Sequence, residues 1–131
     1  MANIVNWIKM LCAVLAGLFS WVYGGIDVLL SVLIICIVID YISGIFAAIY
    51  TKTLNSQVGF RGILKKVVIL LVVALGSLMG QALEQESIRD IVIGFYIANE
   101  GISILENAGR MDIPICKGLS KFLEQLKNKC A

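Results

Sequence analysis

The chain has 131 residues, of which 60% are hydrophobic and only 15% are charged, and its net charge is +2. Soluble domains of this size are usually about half apolar and about a quarter charged, so this composition is typical of a membrane protein. The absence of histidine, of a CxxC pair and of any dense basic run argues against a zinc or haem cofactor and against a nucleic-acid partner.

Four apolar segments predict an all-α, polytopic membrane protein with a single domain covering residues 1–131. They run from about 4 to 23, 28 to 50, 63 to 83 and 91 to 108. A bilayer core about 30 Å thick is crossed by about 20 helical residues, so four transmembrane helices are expected. Lys9 lies inside the first segment and no A-x-A site follows it, which favours a retained helix over a cleaved signal peptide. A three-span version, with the first segment lying in the interface, stays open.

The turn signals between these segments are clear at two places. Gly24 and Gly25 separate the first two segments, and Asp27 is placed to cap the second helix. Residues 51–62 read as a polar connector between the second and third segments.

The C-terminal tail, residues 117–129, has the pattern of an amphipathic helix. Leu119, Phe122, Leu123 and Leu126 recur at helical spacing, and lysines occupy other positions. The tail is too polar to cross a membrane. It is expected to lie on an anionic leaflet or to pack on neighbouring subunits.

Lysine and arginine predict the orientation of the chain. Lys52, Arg61, Lys65 and Lys66 lie in the connector after the second segment or directly beside it, and five further basic residues follow the fourth segment. The loop between the third and fourth segments is acidic apart from one arginine. The positive-inside rule therefore places the connector and the C-terminus in the cytoplasm.

Two carboxylates lie within the apolar segments at similar depth. Asp40 lies near the middle of the second segment and Glu100 lies in the fourth. A charge at the centre of a membrane helix costs at least ~2.5 kcal/mol, so each must face protein or water, or be protonated. They are either hydrogen-bond partners inside one subunit or groups that line an aqueous path or a subunit interface.

Small and polar residues surround these carboxylates and predict a pore lining or an oligomer interface. Lipid cannot satisfy so many polar groups, so assembly into a homo-oligomer is expected. The third segment adds a GxxxG pattern, which lets helix backbones approach closely. The residues of this predicted interface are Asp40, Ser43, Gly44, Gly76, Gly80, Asn99, Glu100, Ser103 and Asn107. A separate expectation is that Glu106 forms cytoplasmic ion pairs with Arg61, Lys65 or Lys66.

Three stretches resemble one protein family. They read IDYISGIFAAIYTKTLNS, VGFRGILKKV and YIANEGISILENAGRMDIPIC, occur in this order, and precede the basic amphipathic tail. Together they are similar to the phage lysis and toxin secretion holin family. The resemblance implies a small protein of the bacterial cytoplasmic membrane that oligomerises and opens a lesion, with an endolysin or a secreted toxin as its functional partner.

Other function classes have less support. A small ion channel or transporter subunit, with Asp40 and Glu100 binding protons or cations, is the main alternative, although the chain lacks inverted repeats and proline-broken helices. No nucleophile is paired with a base and no set of metal ligands is present, so the sequence does not indicate an enzyme.

Overall fold

A computed structural model of the chain, which describes residues 1–130, contains five helices and no strand within those residues. They are α1 (Ala2–Val22), α2 (Val28–Tyr50), α3 (Ser56–Ala82), α4 (Ser87–Arg110) and α5 (Lys117–Cys130). The predicted all-α, polytopic helical membrane fold is confirmed.

Local chemistry sets the start of α2 and of α3. The Asp27 carboxylate accepts a hydrogen bond from the backbone N–H of Leu30 at 3.0 Å, as the sequence predicted for an N-cap. Asn55 does the same for α3, accepting from the N–H of Val58 at 2.9 Å. Gly24 and Gly25 have φ angles of 70° and 99°, which permit the sharp turn between α1 and α2.

The start of α3 differs from the sequence prediction. The helix begins at Ser56 rather than near residue 63, because the Asn55 cap extends it back through the polar residues 56–62. Only residues 51–55 connect it to α2. This longer helix places Lys66 well inside α3 instead of at its beginning.

Three helices, α1, α2 and α3, are long and apolar enough to cross a membrane by their length and composition. The fourth helix expected to span, α4, has 24 residues but is not among them, because its polar and charged residues make it less apolar than the other three. These three helices also differ from the three-span alternative of the sequence analysis, in which the first segment was the one that did not cross the membrane.

The helices α2, α3 and α4 form the packed part of the molecule, with α4 lying along both of the others. The α2 and α3 helices contact each other little, so α4 holds them together. The buried apolar core between them consists of Tyr23, Leu30, Leu33, Ile37, Val73 and Ile93. In a bilayer, such side chains hold helices together by van der Waals packing, since the surrounding lipid is as apolar as they are.

The first and last helices lie outside this core. No residue of α1 is buried, and the Gln81 side-chain amide of α3 donates a hydrogen bond to the carbonyl oxygen of Trp21 at 3.0 Å. The tail helix α5 folds back on α4, where Leu123 comes so close to Gly101 that a Cβ there would lie 2.9 Å from it. The tail thus packs on its own chain, whereas the sequence analysis expected it on an anionic leaflet or on neighbouring subunits. Leu119 and Phe122 of the tail remain exposed.

The glycines of the GxxxG pattern serve contacts inside one chain. A Cβ on Gly76 would lie 2.9 Å from Cγ2 of Val92, and a Cβ on Gly80 would lie 2.9 Å from the carbonyl oxygen of Gln85. Both glycines are buried. They allow α3 to approach α4 and the turn before it, so in this structure their face is not available for self-association.

We predict that Gly80→Ala destabilises the protein by about 1–3 kcal/mol, because the added methyl group meets backbone that cannot rotate away. Gly94→Ala is the matched control, since a Cβ there meets nothing within 4 Å. That variant should be neutral or more stable, as alanine favours helix over glycine by about 1 kcal/mol. Thermal unfolding in detergent, followed by circular dichroism, measures both. Equal stability of the two variants would contradict the close α3–turn contact.

Candidate functional site

A buried ion triad joins the three packed helices. The Lys66 ammonium of α3 contacts the Asp40 carboxylate of α2 and the Glu100 carboxylate of α4. The three side chains are 16%, 9% and 2% exposed, respectively. Asp40 lies ten residues before Tyr50, Lys66 ten after Ser56, and Glu100 ten before Arg110. At 1.5 Å per residue, the triad lies about 15 Å from one end of the bundle.

Asn107 completes the hydrogen bonding of this cluster. Its amide nitrogen donates to Oδ1 of Asp40 at 3.1 Å and to Oγ of Ser43 at 3.0 Å. The Ser43 hydroxyl in turn donates to the carbonyl oxygen of Asp40 at 3.0 Å. Among the described residues, no buried side-chain nitrogen or oxygen lacks a partner. The polar groups near the centre of α2 are therefore satisfied within one chain.

The triad distinguishes the two interpretations of the carboxylates that the sequence left open. One lysine between two carboxylates leaves a formal net charge of −1. Without Lys66, two like charges would lie unpaired in a site of low dielectric. The site with Lys66 is tolerated because the ammonium attracts both carboxylates. Asp40 and Glu100 are thus both paired with Lys66 inside one chain in this structure, which corresponds to the first of the two alternatives.

The ion pairs expected of Glu106 do not form within residues 1–130. Lys66 contacts Asp40 and Glu100 instead, and Glu106 is exposed. The reason is the early start of α3, which places Lys66 at the level of Glu100 rather than near the end of α4. Arg61 and Lys65 are also exposed and take no part in the four ion-pair contacts of the described residues.

A cleft of about 450 Å³ opens beside the triad between α2 and α3, with α4 as its floor. Six of the nine residues predicted to line a pore or an oligomer interface line this cleft: Asp40, Gly44, Asn99, Glu100, Ser103 and Asn107. Ser43 lies beside them through its bond to Asn107. Gly76 and Gly80 are not among the residues that line it, since they lie near the α3–α4 turn. The cleft is thus polar at its base, and Arg61, Lys65 and Arg110 lie on its walls.

A second polar cluster, centred on Arg89, closes the opposite end of the bundle. The guanidinium donates two hydrogen bonds to the Asp27 carboxylate, at 2.9 and 3.0 Å, and further bonds to the carbonyl oxygens of Tyr23 (2.6 Å) and Gly25 (3.1 Å). A bond to Asp90 at 3.1 Å completes it. The fork geometry of arginine suits this bidentate pairing. Arg89 thereby fixes the α1–α2 turn to the beginning of α4.

Sequence reasoning did not single out Arg89. The available signal was that it is the one basic residue in an otherwise acidic loop, at the same end of the bundle as Asp27. The hydrogen bonds from Arg89 are the main reason that the pKa of Asp27 is lowered from 3.8 to about 2.

We predict that Lys66→Met destabilises the protein by about 3–5 kcal/mol, because the substitution leaves two buried carboxylates without a counter-charge. Lys65→Met, at an exposed neighbouring position, is the control and should change stability by less than ~0.5 kcal/mol. Adding Asp40→Asn and Glu100→Gln to Lys66→Met should restore most of the loss. Denaturation in mixed micelles measures all three. A Lys66→Met protein as stable as Lys65→Met would rule out the triad.

We also predict a pH dependence from the Asp27–Arg89 pair. A carboxyl group with a lowered folded-state pKa stabilises the protein above its unfolded pKa and loses that effect as the pH falls through the folded value. The stability difference between the wild type and Asp27→Asn, which retains an N-cap, should stay constant above about pH 5. It should vanish between about pH 4 and pH 2. If the stability difference does not change across this range, the ion pair between Asp27 and Arg89 contributes nothing to the free energy of unfolding.

Comparison with known proteins assigns the chain to a family. Residues 17–128 match the model of the bacteriophage holin family. An uncharacterized 14.9 kDa protein of the nagH 3′ region of Clostridium perfringens is 40% identical over 131 residues, covering 98% of this chain and 99% of that protein. An uncharacterized protein of Halalkalibacterium halodurans is 41% identical over 126 residues, covering 92% and 93%.

An uncharacterized protein of Listeria monocytogenes is 43% identical over 108 residues, covering 82% of this chain and 77% of that protein. No solved structure matches the chain. The family match includes the last part of α1 and nearly all of the other four helices, and with them the triad, the cleft and the Arg89 cluster. This multi-pass membrane protein belongs to the bacteriophage holin family.

Proposed function

We propose that the protein is a holin that assembles into homo-oligomers in the bacterial cytoplasmic membrane and opens a lesion through which an endolysin or a toxin leaves the cell. The observation that carries the proposal is a polar cleft with a buried ion triad, enclosed by helices of membrane length in a chain of this family. The activity needs neither catalysis nor a cofactor.

The size of the cleft supports a lesion formed between subunits. A volume of about 450 Å³ has the scale of a small-molecule pocket and is far less than a folded protein needs. Release of an endolysin therefore requires several chains whose polar side chains together line a larger opening. The unburied α1 and the exposed apolar side chains of α5 offer surface for such contacts.

The distribution of charge supports an orientation with both ends of the chain in the cytoplasm. Lys52, Arg61 and Arg110 lie at the end of the bundle where α2 ends and α3 begins, whereas Glu84 and Glu86 lie at the opposite end. By the positive-inside rule the former end faces the cytoplasm. If α4 also crosses, the N-terminus and the C-terminus share that side.

The buried triad also suits the alternative function, a small ion channel or transporter subunit, and the two functions differ in the size of what passes. We predict that induced expression in a bacterial host collapses the membrane potential and releases a cytoplasmic reporter enzyme at the same time. A potential-sensitive dye and reporter activity in the medium measure the two events.

An empty vector and an unrelated four-helix membrane protein, expressed to the same level, are the controls for this experiment. Loss of potential with full retention of the reporter would favour the ion channel over the holin. If the protein is shown to be inserted in the membrane and neither event occurs, both functions are contradicted.

A further inference from the structure

The cleft between α2 and α3 has a charge distribution that points to a ligand. Arg61 and Lys65 are four residues apart on α3 and therefore share one face of that helix. Both line the cleft, and Arg110 from the end of α4 lines it too. All three are exposed, and the four ion-pair contacts within residues 1–130 involve Lys66 and Arg89, not these cations. Three positive charges thus surround one opening without an acidic partner.

The opening lies at the boundary of the apolar part of the bundle. The end of α2 and the end of α4 are joined there, since the Tyr50 hydroxyl donates to the Asp112 carboxylate at 3.0 Å. A cleft that begins at this end and descends along membrane-length helices lies at the depth where lipid headgroups meet acyl chains. Basic pockets between helices at this depth bind anionic headgroups.

The walls of the cleft combine apolar surface with hydrogen-bonding groups, as a lipid molecule does. Ile45, Leu54, Val58 and Ile69 contribute apolar surface, and Asn99 and Ser103 contribute hydrogen-bonding groups. A soluble phosphate would use the cations alone and would leave the apolar wall in water. A phospholipid uses all three features: a phosphate at the cations, glycerol hydroxyls near the amide and hydroxyl, and an acyl chain along the apolar wall.

The triad sets how deeply an anion can enter. Its single ammonium is already paired with two carboxylates, so it is not available to bind a phosphate at the base of the cleft. The cations around the opening carry +3 in total. The phosphate is therefore held at the opening, while the uncharged parts of the lipid can occupy the space below.

We propose that this cleft binds an anionic phospholipid, with its phosphate held by Arg61, Lys65 and Arg110. The inference goes beyond lesion formation and does not depend on it, because lipid retention is measured on the purified protein. Phosphatidylglycerol has the required phosphate and hydroxyl groups, and phosphatidylcholine of the same chains is the zwitterionic comparison. Occupancy of the site would connect the α2–α3 gap to the lipid composition of the membrane.

The test is lipid retention by the full-length protein in neutral detergent, measured by native mass spectrometry during titration with each lipid. We expect phosphatidylglycerol to bind more tightly than phosphatidylcholine. Each of Arg61→Gln, Lys65→Gln and Arg110→Gln should weaken its binding about fivefold, the factor that matches about 1 kcal/mol for a basic residue near an anionic surface. Helix content by circular dichroism verifies that each variant is folded.

Lys52→Gln is the matched control, since Lys52 is exposed at the same end of the bundle but does not line the cleft. It should leave the affinity within about twofold of the wild type. Equal retention of the two lipids would overturn the proposal, and so would a loss on Lys52→Gln as large as that on Arg61→Gln. Binding of glycerol phosphate as tight as that of phosphatidylglycerol would also overturn it, because the site would then recognise a soluble anion.

Discussion

One lysine shared by two carboxylates determines how this chain can exist in a bilayer. An unpaired charge at the depth of Asp40 or Glu100 would cost several kcal/mol in hydrocarbon, and two like charges side by side would cost more. Lys66 reduces that cost because its ammonium, on the third helix, lies at the same depth as the two carboxylates and contacts both. Because each member comes from a different helix, the triad also fixes the register of α2, α3 and α4 relative to one another.

The Arg89 cluster performs a similar role at the other end of the bundle. It joins the α1–α2 turn to the beginning of α4 through a bidentate pair with Asp27. The apolar core lies between these two polar clusters, with Leu33 and Ile93 fully buried. The buried polar residues of these two clusters are thus paired within a single chain.

Much of the fold could be predicted from hydropathy, and the exceptions have identifiable causes. The sequence predicted α2 at residues 28–50 and its Asp27 cap because apolar length and capping chemistry are local properties. The start of α3 was placed near residue 63 because residues 51–62 have the composition of a polar connector, whereas the Asn55 cap starts the helix at Ser56. That error explains why Glu106, rather than Asp40 and Glu100, was assigned to the lysines.

The candidate site was predictable in its members but not in its connections. Asn107 and Glu100 were both among the residues predicted to surround Asp40, and in the structure both line the cleft beside it. The partner across the site was missed, since sequence spacing does not show which residue of α3 lies at that level. The role of Gly76 and Gly80 was likewise open, because a GxxxG pattern fits a close contact within a chain as well as between chains.

The most direct measurement of the triad is infrared spectroscopy of the lipid-embedded protein with isotope-labelled carboxyl groups, compared between the wild type and Lys66→Met. We expect the carboxyl absorptions of both Asp40 and Glu100 to shift when Lys66 is replaced, because the ammonium contacts both groups in the wild type. Absorptions of both groups that are unchanged by Lys66→Met would show that the lysine does not hold these groups together.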